Sequence, residues 1–178
     1  MNNMIEFERT FLAKEVPAGL GRCECKEVLD IYIPAAVEHP TLRIRKNGEK
    51  YEMTKKSPIE DGDFSRQKEH TIPLVAAEFE ELSFLKGKRV RKMRYYLPYE
   101  GRVAEVDVFQ DALSGLVLID FEFASEEEKD AFVMPDFCLA DVTQEKFLAG
   151  GTLAGKSYAD IEDGLKRFGY SPLFFTEA

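Results

Sequence analysis

Ile5-Glu6-Phe7-Glu8-Arg9-Thr10-Phe11-Leu12 alternates, with Ile5, Phe7 and Phe11 on one side and Glu6, Glu8 and Thr10 on the other. A period of two is what a β-strand with one buried face requires, because successive side chains leave the pleat on opposite sides. The same alternation recurs over roughly residues 26–33, 41–46, 50–56, 66–72, 88–97, 102–110 and 116–123. Local turns connect these runs. Lys46-Asn47-Gly48-Glu49 carries an Asn-Gly step that tolerates the positive φ of a tight hairpin, and Tyr99-Glu100-Gly101-Arg102 and Leu113-Ser114-Gly115 supply two more. Eight short strands joined in this way read as an antiparallel meander, and a barrel is the closed form of that pattern.

Helices are expected at defined interruptions. Pro73 suits the first turn of a helix running to about Leu85, with Val75, Phe79 and Leu82 on one stripe. Ser125 followed by Glu128 has the spacing of a capping box for a second helix. Two shorter helices are expected at about 144–149, after Thr143, and about 158–167, after Ser157. The fold class is therefore mainly β with flanking helices (α+β). A single domain is expected, with a core over about residues 4–150 and a C-terminal helical extension over about 151–178.

Composition narrows the function. The net charge of −9 argues against nucleic acid as a partner, since that requires a basic face. No run of about 18 apolar residues points to a membrane, and the start Met1-Asn2-Asn3-Met4 has no signal-peptide core, so a cytoplasmic location is expected. Cys23, Cys25 and Cys138 form no disulfide framework, and with His39 and His70 they supply too few ligands for a zinc site.

The informative feature is the sign of charge on the polar face of each strand. Residues two apart point the same way, roughly 7 Å from each other. Glu6 with Glu8, Glu105 with Asp107, and Asp120 with Glu122 are acidic pairs, whereas Arg43 with Arg45 and Lys92 with Arg94 are basic ones. Lys56 shares a face with Thr54 and Glu52. Cross-strand ion pairing on a solvated sheet would account for any one of these, but neighbouring like charges repel, and so many same-sign pairs suggest selection for a ligand. Amphipathic helices need an apolar surface to cover. In a closed barrel this places Ile5, Phe7, Val106, Val108, Ile119 and Phe121 outside and the charges inside. Clustered carboxylates hold hard divalent ions through oxygen, and arginine and lysine grip phosphate oxygens, so the bore suits a polyphosphate carrying metal ions.

Glu6-Phe7-Glu8-Arg9-Thr10-Phe11-Leu12 resembles the E-x-E-x-K opening strand of the CYTH proteins, or triphosphate tunnel metalloenzymes. The similarity continues through Leu42-Arg43-Ile44-Arg45, Tyr51-Glu52-Met53-Thr54-Lys55-Lys56, Lys92-Met93-Arg94-Tyr95, Glu105-Val106-Asp107-Val108-Phe109, Gly115 to Glu122, and Asp141-Val142-Thr143. The ordered set spans about residues 4–150 and implies an eight-stranded tunnel that hydrolyses a triphosphate or nucleoside triphosphate with Mg²⁺ or Mn²⁺. Inorganic triphosphate is the favoured substrate, because none of these motifs describes a base-binding pocket.

By position the resemblance implies metal-side carboxylates at Glu6, Glu8, Asp120 and Glu122, and phosphate-binding cations at Arg43, Arg45, Lys56, Lys92 and Arg94. Lys146 would reach the tunnel mouth. Glu105 and Asp107 would support a second ion or orient the attacking water. Glu69 alone remains where relatives carry an E-x-E run. The chain departs from the pattern at Thr10, which stands where the family has lysine, and at Asp120, which stands where glutamate is usual. Thr10 supports an alternative reading as a polyphosphate-binding protein without turnover. A class IV-type adenylate cyclase is a further alternative, though those proteins open with His-Phe where this chain has Met4-Ile5.

Overall fold

The alternating runs fold into strands that close on one another. The computed structural model describes residues 4–60 and 63–175. Its strands are β1 (Met4–Ala13), β2 (Glu24–Ile33), β3 (Leu42–Asn47), β4 (Lys50–Pro58), β5 (Arg66–Leu74), β6 (Lys88–Tyr99), β7 (Arg102–Phe109), β8 (Val117–Phe123) and β9 (Cys138–Asp141). The helices are α1 (Ala76–Ser83), α2 (Glu126–Ala131), α3 (Gly150–Leu153) and α4 (Tyr158–Lys166). Antiparallel pairing runs β5-β4-β3-β2-β6-β7-β8-β1, and β1 pairs back onto β5, which closes an eight-stranded barrel. The short ninth strand, with no alternation to announce it, lies outside that circuit. It pairs with Phe11 to Ala13 of β1, whereas β5 covers Met4 to Phe7 along that strand.

The inside-outside assignment follows the sequence pattern. Phe11, Val106, Val108, Ile119 and Phe121 face away from the bore and are buried in an outer cluster, with Leu20, Phe132 and Phe175 brought over them by the flanking segments. A second outer cluster places Phe79 of α1 against Ile31 and Ile44. A third cluster lies on the bore side: α3, α4 and the chain around them pack against Leu12, Tyr32, Val90, Phe109 and Leu118 and close one end of the barrel. Apolar burial at about 25 cal/mol per Å² therefore acts between the wall and its outer covering, and also at one end of the bore, where Tyr32, Val90, Phe109 and Leu118 line the cavity. Among the described residues no helix is long and apolar enough to cross a membrane.

Three helix expectations are corrected. Pro73 does not open a helix; it lies in β5 opposite Glu52, beyond the stretch of β5 that pairs with β1, where a missing N–H is tolerated. The helix begins at Ala76 instead, and Val75 precedes it, 63% exposed and off the buried stripe. Its amide donates to the Glu78 carboxylate at 2.9 Å, supplying the start signal that Pro73 was expected to give. The stretch expected as one helix over 144–149 is a 3-10 turn, Lys146–Leu148, followed by the single turn of α3. Thr143 is drawn away from capping because its hydroxyl bonds Asp141 and the backbone of β1. Of the Ser125–Glu128 box only one half forms: the Glu128 amide donates to the Ser125 hydroxyl at 3.3 Å, while the Glu128 carboxylate accepts from Arg102.

Candidate active site

The bore encloses a cavity of about 170 Å³ lined by both signs of charge. Glu6, Glu8, Asp30, Glu105, Asp107, Asp120, Glu122 and Glu145 supply eight carboxylates, against five cations from Arg43, Arg45, Lys56, Lys92 and Arg94. Strand register explains how they meet. Glu8 lies opposite Glu122 and Thr10 opposite Asp120 across β1 and β8, and Asp120 in turn lies opposite Glu105 on β7. Arg94 lies opposite Asp107, and Arg45 opposite Asp30. Among the candidates from sequence, Lys146 and Glu69 fall outside the lining: Lys146 is exposed, and Glu145 takes the lining position beside it.

The deep layer is fully paired. Asp107, 1% exposed, accepts from Lys92 and, at 2.7 Å to each oxygen, from Arg94. Burial opposes the Asp107 charge, but Arg94 and Lys92 outweigh it and hold the carboxyl below its ordinary range. Asp30, also 1% exposed, accepts a two-pronged grip from Arg45 at 2.6 and 2.8 Å. Against the cost of burial, Arg45 and Arg43 hold Asp30 far below the usual carboxylate range. Burial lowers the Lys92 pKa, with Arg94 and Arg45 adding to the effect and Asp107 opposing it.

The shallower layer is acidic and less satisfied. Burial, then the neighbouring Asp107 and Glu8 charges, push Asp120 up to about 6. Burial also raises Glu105, with the attraction of Arg94 opposing it, and raises Glu122, with help from Glu105 and Glu8. Thr10 donates its hydroxyl to Asp120 at 2.7 Å, so the position where lysine was expected faces the bore but brings no charge. Lys56 stands among Glu6, Glu8 and Glu69. Arg43 is different from the other cations. Among the described residues it has no carboxylate within ion-pair distance, and its buried Nε has no hydrogen-bond partner; one of its terminal nitrogens donates to the Tyr32 hydroxyl at 3.5 Å.

No family model matches the chain. An inorganic triphosphatase of Nitrosomonas europaea is 36% identical over 154 residues, which is 85% of this chain and 97% of that protein. This chain belongs to the CYTH family. A crystal structure of an inorganic triphosphatase resembles it with a TM-score of 0.60 at 30% identity, covering 84% of this chain and 93% of that one. A protein of Pyrococcus horikoshii OT3, 16% identical, covers 92% of this chain and 90% of its own with a TM-score of 0.50, and the likeness there is one of fold.

Several side chains of this CYTH bore escape a search for like-sign pairs. Asp30 lies between Val28 and Tyr32 on its strand face, with no like charge two residues away, so only its register against Arg45 reveals its partner. Glu145 sits in a turn without periodicity. His39, held to the Thr152 hydroxyl at 3.1 Å, reaches the cavity from the loop between β2 and β3. Burial depresses its pKa, and nearby Lys146 adds to that effect.

Proposed function

We propose that this CYTH chain hydrolyses a linear triphosphate, with inorganic triphosphate as substrate and Mg²⁺ or Mn²⁺ as cofactor. The single observation that carries the reading is the closed bore with eight carboxylates, five cations and an unpartnered Arg43 Nε. An arginine with an open donor in a closed bore fits an anion with several oxygens. The excess of carboxylates over cations would repel that anion unless divalent ions accompany it. The oxygen-only donor set suits a hard ion, and the name of the Nitrosomonas relative supports the same substrate.

The residues divide the work by how they are held. Glu6, Glu8, Asp120 and Glu122 are assigned to the metal, which when bound supplies charge neutralisation and an acidified water. Arg43, Arg45, Lys92 and Arg94 line up the phosphates, and the pairing of Asp107 with Lys92 and Arg94 fixes two of them in place. Asp107 is thereby a poor base. Glu105 is the better candidate to orient water, because its carboxyl is raised above its ordinary value and lies at the shallower end of the bore.

A phosphate-release screen over triphosphate, ATP and thiamine triphosphate, each with Mg²⁺ or Mn²⁺, tests the reading. Triphosphate with a divalent ion should release phosphate fastest. Release from none of the three, with tight binding retained, would establish a binding protein instead. Glu8→Gln and Glu122→Gln keep shape while removing charge, so both should abolish metal-dependent release without unfolding the chain; unchanged turnover in both would remove these residues from the metal set.

A further inference from the structure

The cations of the bore differ in what restrains them. Arg45, Lys92 and Arg94 are locked against Asp30 and Asp107, the two most deeply buried carboxylates. Lys56 on β4 is held differently. Its ammonium contacts the Glu6 carboxylate and lies 3.7 Å from Glu8 and 3.4 Å from Glu69, so it draws together acids from β1 and β5. Burial works against the Lys56 charge, but Glu8 and Glu6 outweigh it and raise its pKa. One positive charge among three carboxylates occupies the kind of place a divalent ion takes. Among the described residues, no three side chains of suitable type are gathered closely enough to share a metal ion as they stand.

We infer that Lys56 and a divalent cation compete for Glu6, Glu8 and Glu69, and that metal binding releases the Lys56 ammonium to the phosphates. Lysine suits the exchange, because its charge sits on a flexible stem, whereas the Arg45 guanidinium is fixed at two points by Asp30. A freed ammonium would lie in the same lining as Arg43, leaving two cations with open donors for one anion to satisfy. Metal and triphosphate then raise each other's affinity by one common factor, since coupling between two ligands is reciprocal. This rests on the triphosphate reading of the bore and adds an order to it: neither ligand alone meets a prepared site.

Mn²⁺ binding tests the exchange, followed by loss of the free-ion paramagnetic resonance signal, on protein first stripped of divalent ions by a chelator. A methylene-bridged triphosphate analogue, which resists hydrolysis, serves as the anion. Wild type should bind Mn²⁺ weakly alone and about tenfold or more tightly with the analogue. Lys56→Gln should bind Mn²⁺ alone about tenfold more tightly than wild type and show little further gain from the analogue. Lys56→Arg retains the competing charge and should bind Mn²⁺ alone no better than wild type, and circular dichroism melts verify that both variants fold. Equal or weaker Mn²⁺ binding by a folded Lys56→Gln overturns the exchange. Should that variant not fold, Lys56→Met takes its place with the same expectation. Phosphate release by wild type is read separately: its absence overturns the hydrolase reading alone, and the Mn²⁺ data still decide the exchange.

Discussion

Thr10 is, with Asp120, one of two bore positions at which this chain departs from the pattern it resembles. Its hydroxyl donates to Asp120, which places position 10 in the bore, uncharged, beside an acid already raised by burial and its neighbours. Thr10→Lys should place an ammonium against Asp120 and tighten triphosphate binding by about 1–3 kcal/mol, the scale of hydrogen bonds to charged groups. Calorimetric titration across Mg²⁺ concentrations checks it. A higher Mg²⁺ requirement would mean that the new lysine competes with the ion, and unchanged affinity would place the phosphates elsewhere. Asp30 shows the opposite case, a residue whose importance could not be read from the chain. Paired charges on alternating positions gave away Glu6 with Glu8 and Arg43 with Arg45, but a lone acid between Val28 and Tyr32 carries no such signal until register sets it opposite Arg45. Asp30→Asn leaves the Arg45 guanidinium buried without its counter-charge, and a stability loss of about 3–5 kcal/mol in urea unfolding is expected.

At the scale of elements, the eight barrel strands were legible because alternation is a local property, whereas what covers them depends on contacts distant in sequence. Cys138–Asp141 is too short to alternate, and it becomes a strand only because β1 offers an edge that β5 does not reach. Pro73 carries a helix-start signal in isolation, yet pairing with β4 holds it in a strand and moves the helix to Ala76. The turn α3 was equally hidden, since its glycines matter for reasons of space. A Cβ on Gly151 would lie 2.5 Å from the Pro40 carbonyl oxygen and 3.3 Å from the His39 ring. The backbone of the β2–β3 loop cannot yield as a side-chain tip can. Gly151→Ala should therefore destabilise the protein by about 1–3 kcal/mol through overpacking, read as a lowered urea midpoint. A midpoint within error of wild type would show that α3 can lift from the loop at little cost.

The whole molecule inverts the usual distribution of a small barrel, with two apolar cores outside the wall, a third closing one end of the bore, and an excess of carboxylates within it. That excess makes stability depend on pH and on divalent ions in a direction that can be worked out. Asp120, raised first by burial and then by the Asp107 and Glu8 charges, with Arg94 and Lys92 opposing them, is pushed up to about 6 when folded, above its ordinary 3.8. The folded state thus binds more protons than the unfolded one between those values, and Asp120 withdraws stability as pH rises through that window. Asp30 and Asp107 act in the other sense: their folded pKa values are depressed, so the stability they contribute is lost only as acid protonates them, below the usual carboxylate range. In chelator, stability should therefore peak in mildly acidic buffer and decline toward alkaline pH. Asp120→Asn keeps an acceptor for Thr10 and removes the charge, so its urea midpoint should gain on wild type by more at about pH 8 than at about pH 4. Mg²⁺ should shrink that difference, because an ion in the bore compensates the carboxylate, and it should stabilise wild type more than Asp120→Asn. At 100 times its dissociation constant a bound ion adds about 2.7 kcal/mol, well within reach of urea unfolding. If the Asp120→Asn advantage were as large in acid as in alkali, the negative excess of the bore would not be centred on Asp120, and Glu105 and Glu122, both raised by burial, would be the next carboxylates to neutralise.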